Sequence, residues 1–125
     1  MTNSNIPTVI WPADSGEYKV MQFQDISDQP YLRFGKERLR GLHETILERF
    51  AQETSVQCTK IRGPNCLVST LPTDCSFRLM GTGKCYLNLK SHIAIFTGKS
   101  NDYQIGINGD HLAKLRSLLP DWDIS

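Results

Sequence analysis

The sequence predicts an α+β protein: an antiparallel sheet of several short strands, packed on one face by two helices at about 36–53 and 110–119. Both helical stretches carry apolar residues at the three-and-four spacing of an amphipathic helix. Most of the remaining chain shows short alternations of apolar and polar residues, separated by glycine-containing turns. Because short turns join the successive strands, we expect neighbouring strands to be antiparallel.

All 125 residues are predicted to form one domain, with residues 1–12 as an extended N-terminal arm. Two prolines restrict this arm to extended or edge conformations, and Trp11 is expected to anchor it to the body of the protein. Residues 17–24 alternate with apolar side chains in both sets, which predicts a strand covered on both sides. A brief strand is predicted at 31–34.

A hairpin is predicted after the first helix, with strands at 55–62 and 66–71 that are separated by a Gly-Pro-Asn turn. The helix before it presents one apolar face, formed by Leu39, Leu42, Ile46, Leu47, Phe50 and Ala51. No proline interrupts this helix, and Pro120 ends the second helix.

The stretch from 76 to 119 is predicted to form the main part of the sheet and the helix that closes it. Its predicted strands are 77–80, 84–90, 91–97 and 103–108. The glycines of Gly81-Thr82-Gly83 predict a hairpin turn between the first two strands. Asp110 is the predicted cap of the second helix.

Side chains alternate along a strand, so these strands divide into two predicted faces. The apolar face, expected to pack against the helices, contains Phe77, Leu79, Cys85, Leu87, Leu89, Ile93, Ile95, Tyr103, Ile105 and Ile107. The other face has three cations, three rings and no acid. Cations attract phosphates, and rings offer platforms on which unpaired bases stack.

This second face predicts a small non-enzymatic module that binds single-stranded DNA or RNA. The candidate contacts, two of them on the preceding strand, are Lys60, Arg62, Arg78, Lys84, Tyr86, Lys90, His92 and Phe96. In element order, four strands and then a helix, the C-terminal third resembles the PUR-repeat and Whirly single-strand-binding modules. This resemblance includes no shared motif and transfers no site residue.

Charge is segregated along the chain, although the formal net charge is only +1. Residues 1–30 carry one lysine against four acids, whereas residues 76–108 carry four basic residues against one acid. The small net charge argues against a generally polycationic protein that coats DNA. The alternative function is a protein-interaction module, an adaptor, subunit or inhibitor that docks through an edge strand, the two terminal tryptophans and the acidic ends. A homodimer is also compatible with an exposed edge.

Enzymatic motifs are not apparent, so an enzyme is the less expected class, and no cofactor or metal is expected. The predicted sheet lacks a carboxylate pair, and the four cysteines are spaced too widely for paired zinc ligands. We expect reduced thiols that pack as small apolar residues. With no apolar leader and no stretch of membrane-spanning length visible, the expected location is the cytoplasm or another reducing intracellular compartment.

Overall fold

The computed structural model describes residues 6–36, 42–64 and 66–125. Its elements in chain order are β1 (Gly16–Asp25), β2 (Pro30–Gly35), α1 (Leu42–Glu53), β3 (Thr59–Arg62), β4 (Leu67–Thr70), β5 (Phe77–Asn88), β6 (Ile93–Thr97), α2 (Gly109–Leu118) and β7 (Asp123–Ile124). Five strands form one sheet in the order β2-β1-β5-β6-β7, and β3 and β4 form a small second sheet. Only the β6–β7 pair is parallel among the strand pairs in these ranges. The predicted α+β class with a largely antiparallel sheet is confirmed.

The two helices lie on opposite faces of the five-stranded sheet, whereas one shared face was expected. On one side, α1 packs against Met21 and Phe23 of β1. On the other side, α2 packs against Tyr18 and Val20 of the same strand. As its alternation predicted, β1 is apolar on both faces, and each face requires its own cover. No helix within the described ranges is long and apolar enough to cross a bilayer.

The predicted hairpin turn at 81–83 is wrong, because these residues lie inside the continuous strand β5. Their glycines serve close packing instead of a turn. A Cβ atom at Gly81 would lie 2.7 Å from the Gly106 carbonyl oxygen, and one at Gly83 would lie 2.7 Å from Cδ1 of Ile107. Glycine therefore allows the loop before α2 to cross directly over the strand.

A bulge in β5 divides the predicted apolar face between the two sides of the sheet. Gln22 pairs with Gly81 and Phe23 pairs with Leu79, which leaves Met80 as the extra residue. One extra residue reverses the alternation beyond it. Phe77 consequently packs on the α1 side, whereas Cys85 and Leu87 pack on the α2 side.

Residues 98–108 form a loop, so the strand predicted at 103–108 is wrong. Within this loop, one isolated antiparallel β-bridge joins Lys99 and Gly106. In the stretch from residue 76 to α2, the structure has two strands, β5 and β6, where four were predicted. The order of four strands and a helix, on which the resemblance to PUR-repeat and Whirly modules was based, is therefore not present. The helix cap also differs from the prediction, because the Asn108 side chain, not that of Asp110, accepts the His111 N–H.

Both terminal segments pack onto the sheet. Val9 of the arm bridges to Leu32 of β2, and β7 pairs with β6 at the opposite edge. The rings of Trp11 and Trp122 are stacked with their centroids 3.9 Å apart, so the predicted anchoring by Trp11 is confirmed. The helix predicted to start near residue 36 is described from Leu42, and residues 37–41 of that prediction lie outside the described residues.

Candidate nucleic-acid interface

Over its described residues, Leu42–Glu53, α1 leaves part of its side of the sheet uncovered. Two rows of residues cross the strands there in direct register. One row runs Lys19–Lys84–Thr97, and the next runs Glu17–Tyr86–Ile95. These residues alternate with Tyr18, Cys85 and Phe96, which are buried on the α2 side. We call the six residues of the two rows the open face.

The cationic row brings two lysines together without a carboxylate partner. Lys19 of β1 and Lys84 of β5 are directly opposed across the strands. In the described part of the chain, neither ammonium group has a hydrogen bond or an ion pair. Like charges that face each other on a sheet are destabilising. A bound anion would relieve this repulsion.

A groove of about 640 Å³ lies beside the cationic row. This volume is within the usual range of ligand sites. Lys36, which follows β2, lines the groove as well, and its Nζ lies 5.2 Å from the centroid of the Tyr18 ring. Because the Tyr18 ring packs on the α2 side, this cation–π contact holds the Lys36 ammonium group away from the cationic row.

The second row offers an exposed ring. Tyr86 is 53% exposed, and its cross-strand neighbour Ile95 is 46% exposed. Large apolar side chains on a strand are commonly buried, so this pair is a surface that a planar ligand can cover.

His43 of α1 contacts the β5 backbone next to the open face. Its ring is buried, with Nε2 3.0 Å from the Gly83 carbonyl oxygen, directly before Lys84. Burial and the nearby charge of Lys19 lower the pKa of His43, so the ring is neutral at pH 7 and its Nε2–H donates to Gly83. This bond holds the first turn of α1 against β5.

Of the predicted contacts, Lys84 and Tyr86 lie together on the open face. Phe96 does not, because it pairs with Cys85 and is buried on the α2 side. The prediction assigned β6 to the wrong phase, since the turn before it sets the register and places His92 at a φ of 56°. His92 itself is stacked on Trp122, with ring centroids 4.6 Å apart.

The remaining predicted cations are dispersed. Arg78 is exposed but lies on the α2 side, because it pairs with Gln24. Lys90 is exposed in the turn after β5. Lys60 and Arg62 lie on the second sheet, where Nζ of Lys60 is 3.2 Å from Oε2 of Glu44. The eight predicted residues therefore do not form one surface.

Sequence reasoning missed Glu17 and Lys19 as site residues. The alternation of β1 places Glu17 and Lys19 on one face of that strand, and this signal was present. Their proximity to Lys84 depends on pairing between residues that are more than sixty positions apart, for which the sequence carries no local signal.

The described residues contain no cluster of metal ligands, and one of the four thiols is deeply buried. Within residues 6–36, 42–64 and 66–125, no three His, Cys, Asp or Glu side chains gather as a metal site. All four cysteines are free thiols. Burial raises the pKa of Cys85 to about 12, which keeps this thiol protonated and unreactive.

No protein-family model matches this chain, and no curated protein matches it in sequence.

Proposed function

We propose that the open face binds single-stranded nucleic acid. The observation that carries this proposal is the direct opposition of Lys19 and Lys84, unpaired in the described part of the chain, one row away from the exposed ring of Tyr86. A single strand presents both phosphates and unpaired base faces, which match these two rows. In a duplex the base faces are already stacked, so the ring of Tyr86 would have no partner.

The spacing of the rows fits one nucleotide. Lys84 and Tyr86 are two residues apart on one strand, which is about 7 Å. A phosphate over the lysines would therefore place its own base, or the next one, over Tyr86. Stacking on an aromatic ring is worth about 1–3 kcal/mol per base, enough to favour a single strand over a simple polyanion.

The first experiment is a fluorescence anisotropy titration with labelled single-stranded DNA, single-stranded RNA and duplex DNA. We expect single strands to bind in the micromolar range and more tightly than the duplex. Binding should weaken between about 50 and 200 mM salt because bound phosphates release counterions. Absence of binding, or binding that does not depend on salt, would contradict the proposal.

Charge reversal of the cationic row tests the location. In the double variant Lys19→Glu, Lys84→Glu, we expect loss of binding, while circular dichroism and thermal unfolding remain those of a folded protein. The matched control is Arg78→Glu, on the opposite side of the sheet, which should bind as the wild type does. Replacing only Lys84 with alanine should reduce the salt slope by about 0.7. Normal binding by the double variant would show that the open face is not the site.

Docking of a protein partner remains the second proposal, and the apolar pair Tyr86–Ile95 favours it. The features expected to serve docking are used within the fold, because both sheet edges receive terminal segments and the two tryptophans stack on each other. Purification from a native lysate separates the two proposals: a nuclease-sensitive complex supports nucleic acid, and a stoichiometric protein that resists nuclease supports docking.

A further inference from the structure

We propose that Glu17 selects the base that stacks on Tyr86, favouring bases that carry an exocyclic amino group. This inference rests on the proposed single-strand binding and specifies the ligand of the same open face. It assigns a role to a carboxylate that lies among cations and would otherwise oppose the binding of phosphate.

The position of Glu17 places it beside the base and not beside the phosphate. It is the direct cross-strand neighbour of Tyr86, in the row that contains the ring. Directly opposed residues have Cβ atoms about 4.5–5.5 Å apart. A base that covers the Tyr86 ring therefore extends its edge over either Glu17 or Ile95, the two neighbours of Tyr86 in that row.

The Glu17 carboxylate is available for such a contact. It is exposed, and in the described part of the chain it has no side-chain hydrogen bond and no cation within ion-pair distance. Lys19 and Lys84 in the next row are thus not neutralised by it in an ion pair. An acid left unpaired on a phosphate-binding face lowers affinity unless it contributes a contact of its own.

The chemistry of a carboxylate defines the preference. An ionised carboxylate only accepts hydrogen bonds. It can accept from N4 of cytosine, N6 of adenine or the amino group of guanine. Thymine and uracil offer only their N3–H, which lies between the two acceptors O2 and O4, so a carboxylate that accepts from it is repelled on both sides. Cytosine and thymine form the sharpest comparison, because they are pyrimidines of similar size that differ in this group at C4.

The test compares labelled oligo(dC) and oligo(dT) of equal length, at one salt concentration and at a pH near 7.5 where oligo(dC) is unfolded. We expect the wild-type protein to bind oligo(dC) at least about five-fold more tightly. In Glu17→Gln, whose amide can donate as well as accept, the ratio should approach one. Affinity for oligo(dT) should rise in this variant because a negative charge and a repelled acceptor are both removed.

The matched control is Asp74→Asn, which makes the same chemical change at an exposed turn residue and should keep the wild-type ratio. If Glu17 acts only through its charge, Glu17→Gln will strengthen binding to both oligonucleotides equally, and the inference is wrong. Equal wild-type affinity for oligo(dC) and oligo(dT) also contradicts it, while leaving single-strand binding intact. Absence of binding to either strand rejects the proposed function together with this inference.

Discussion

His111 links α2 to β1 through a hydrogen-bond network around its buried ring. Its Nε2 lies 2.8 Å from the Phe23 carbonyl oxygen, and its Nδ1 lies 3.1 Å from Nε2 of Gln22. We assign the proton to Nε2, which donates to the carbonyl, while Nδ1 accepts from the Gln22 amide. The same glutamine bonds both backbone groups of Asn108, the cap of α2. This network needs a neutral ring.

Protonation of the buried histidines should therefore destabilise the fold. Burial lowers the pKa of His43 and of His111 below the ordinary 6.5. The unfolded chain then takes up protons at a higher pH than the folded chain, so their stabilising contribution is complete above about pH 6.5 and is lost as the pH falls below it. We expect the free energy of unfolding in urea to decrease by up to about 1.4 kcal/mol per pH unit for each histidine.

Two variants identify the groups involved. His43→Gln and His111→Gln should each show a shallower loss of stability between about pH 6.5 and 5, because each removes one buried ring that takes up a proton on unfolding. A wild-type stability that is constant across this range would contradict the assignment of neutral, buried rings.

At the scale of elements, β5 determines which side chains share a face, and its glycines determine what can cross it. Carbonyl oxygens and side chains of the loop 98–108 approach Gly81 and Gly83 more closely than a Cβ atom permits. The Thr82 hydroxyl donates to the Ile105 carbonyl oxygen and accepts from the Ser100 N–H, which fixes the same loop. These contacts hold the loop against the strand.

Substitution of these glycines should be costly. We expect Gly81→Ala and Gly83→Ala each to lower the free energy of unfolding by about 1–3 kcal/mol or more, because the obstructing atoms include backbone that cannot move aside. The control is Gly109→Ala, where a Cβ atom would meet nothing within 4 Å. Chemical denaturation of the three variants checks this, and an unchanged stability of Gly83→Ala would show that the loop packs elsewhere.

Local patterns in the sequence sufficed for the helices and for β1, but not for β5. The apolar spacing of Leu42, Ile46 and Phe50 is a property of neighbouring residues, and it placed α1 correctly over its described residues. Gly81 and Gly83 gave a turn signal because glycine suits both turns and close backbone contacts, and only the distant loop decides between them. The bulge at Met80 is set by pairing with β1, so Phe77 and Leu79 were wrongly grouped on one face with Cys85 and Leu87.

For the candidate site too, the sequence predicted the residues that local alternation places but not those that long-range strand pairing places. Lys84 and Tyr86 share one face, as predicted, because they lie between the two places where the predicted alternation fails. These places are the bulge in β5 and the turn before β6. Phe96 was misplaced by the turn at 89–92, whose length shifts the alternation by one residue. Glu17 and Lys19 join the site through a long-range strand pair that no local pattern encodes.

At the scale of the whole molecule, the two ends of the chain lie along opposite edges of the sheet, the arm beside β2 and the C-terminal segment beside β6. The Leu32 N–H of β2 donates to the Thr8 carbonyl oxygen, and the Phe96 N–H of β6 donates to the Ser125 carbonyl oxygen. The buried guanidinium of Arg33 also holds the arm, through the Pro7 and Thr8 carbonyl oxygens. Covered edges protect a sheet from pairing with another chain.

Loss of the contact between the ends should weaken the fold without affecting the open face. We expect Trp122→Ala to lower the free energy of unfolding by up to about 3 kcal/mol, since Trp11 and His92 both lose a stacking partner. Affinity for a single strand should be unchanged at temperatures where the variant is folded. Weakened binding by a fully folded variant would place part of the site on the α2 side.

The indole pair has an optical consequence. Trp11 and Trp122 are the two tryptophans of the chain, and both pack on the α2 side. Their emission should therefore report whether the ends are joined, and it should be insensitive to a base that stacks on Tyr86, as proposed, on the other side of the sheet. Excited selectively, these indoles should report unfolding whether or not an oligonucleotide is bound, so the labelled oligonucleotide can report binding and the protein can report stability in one sample.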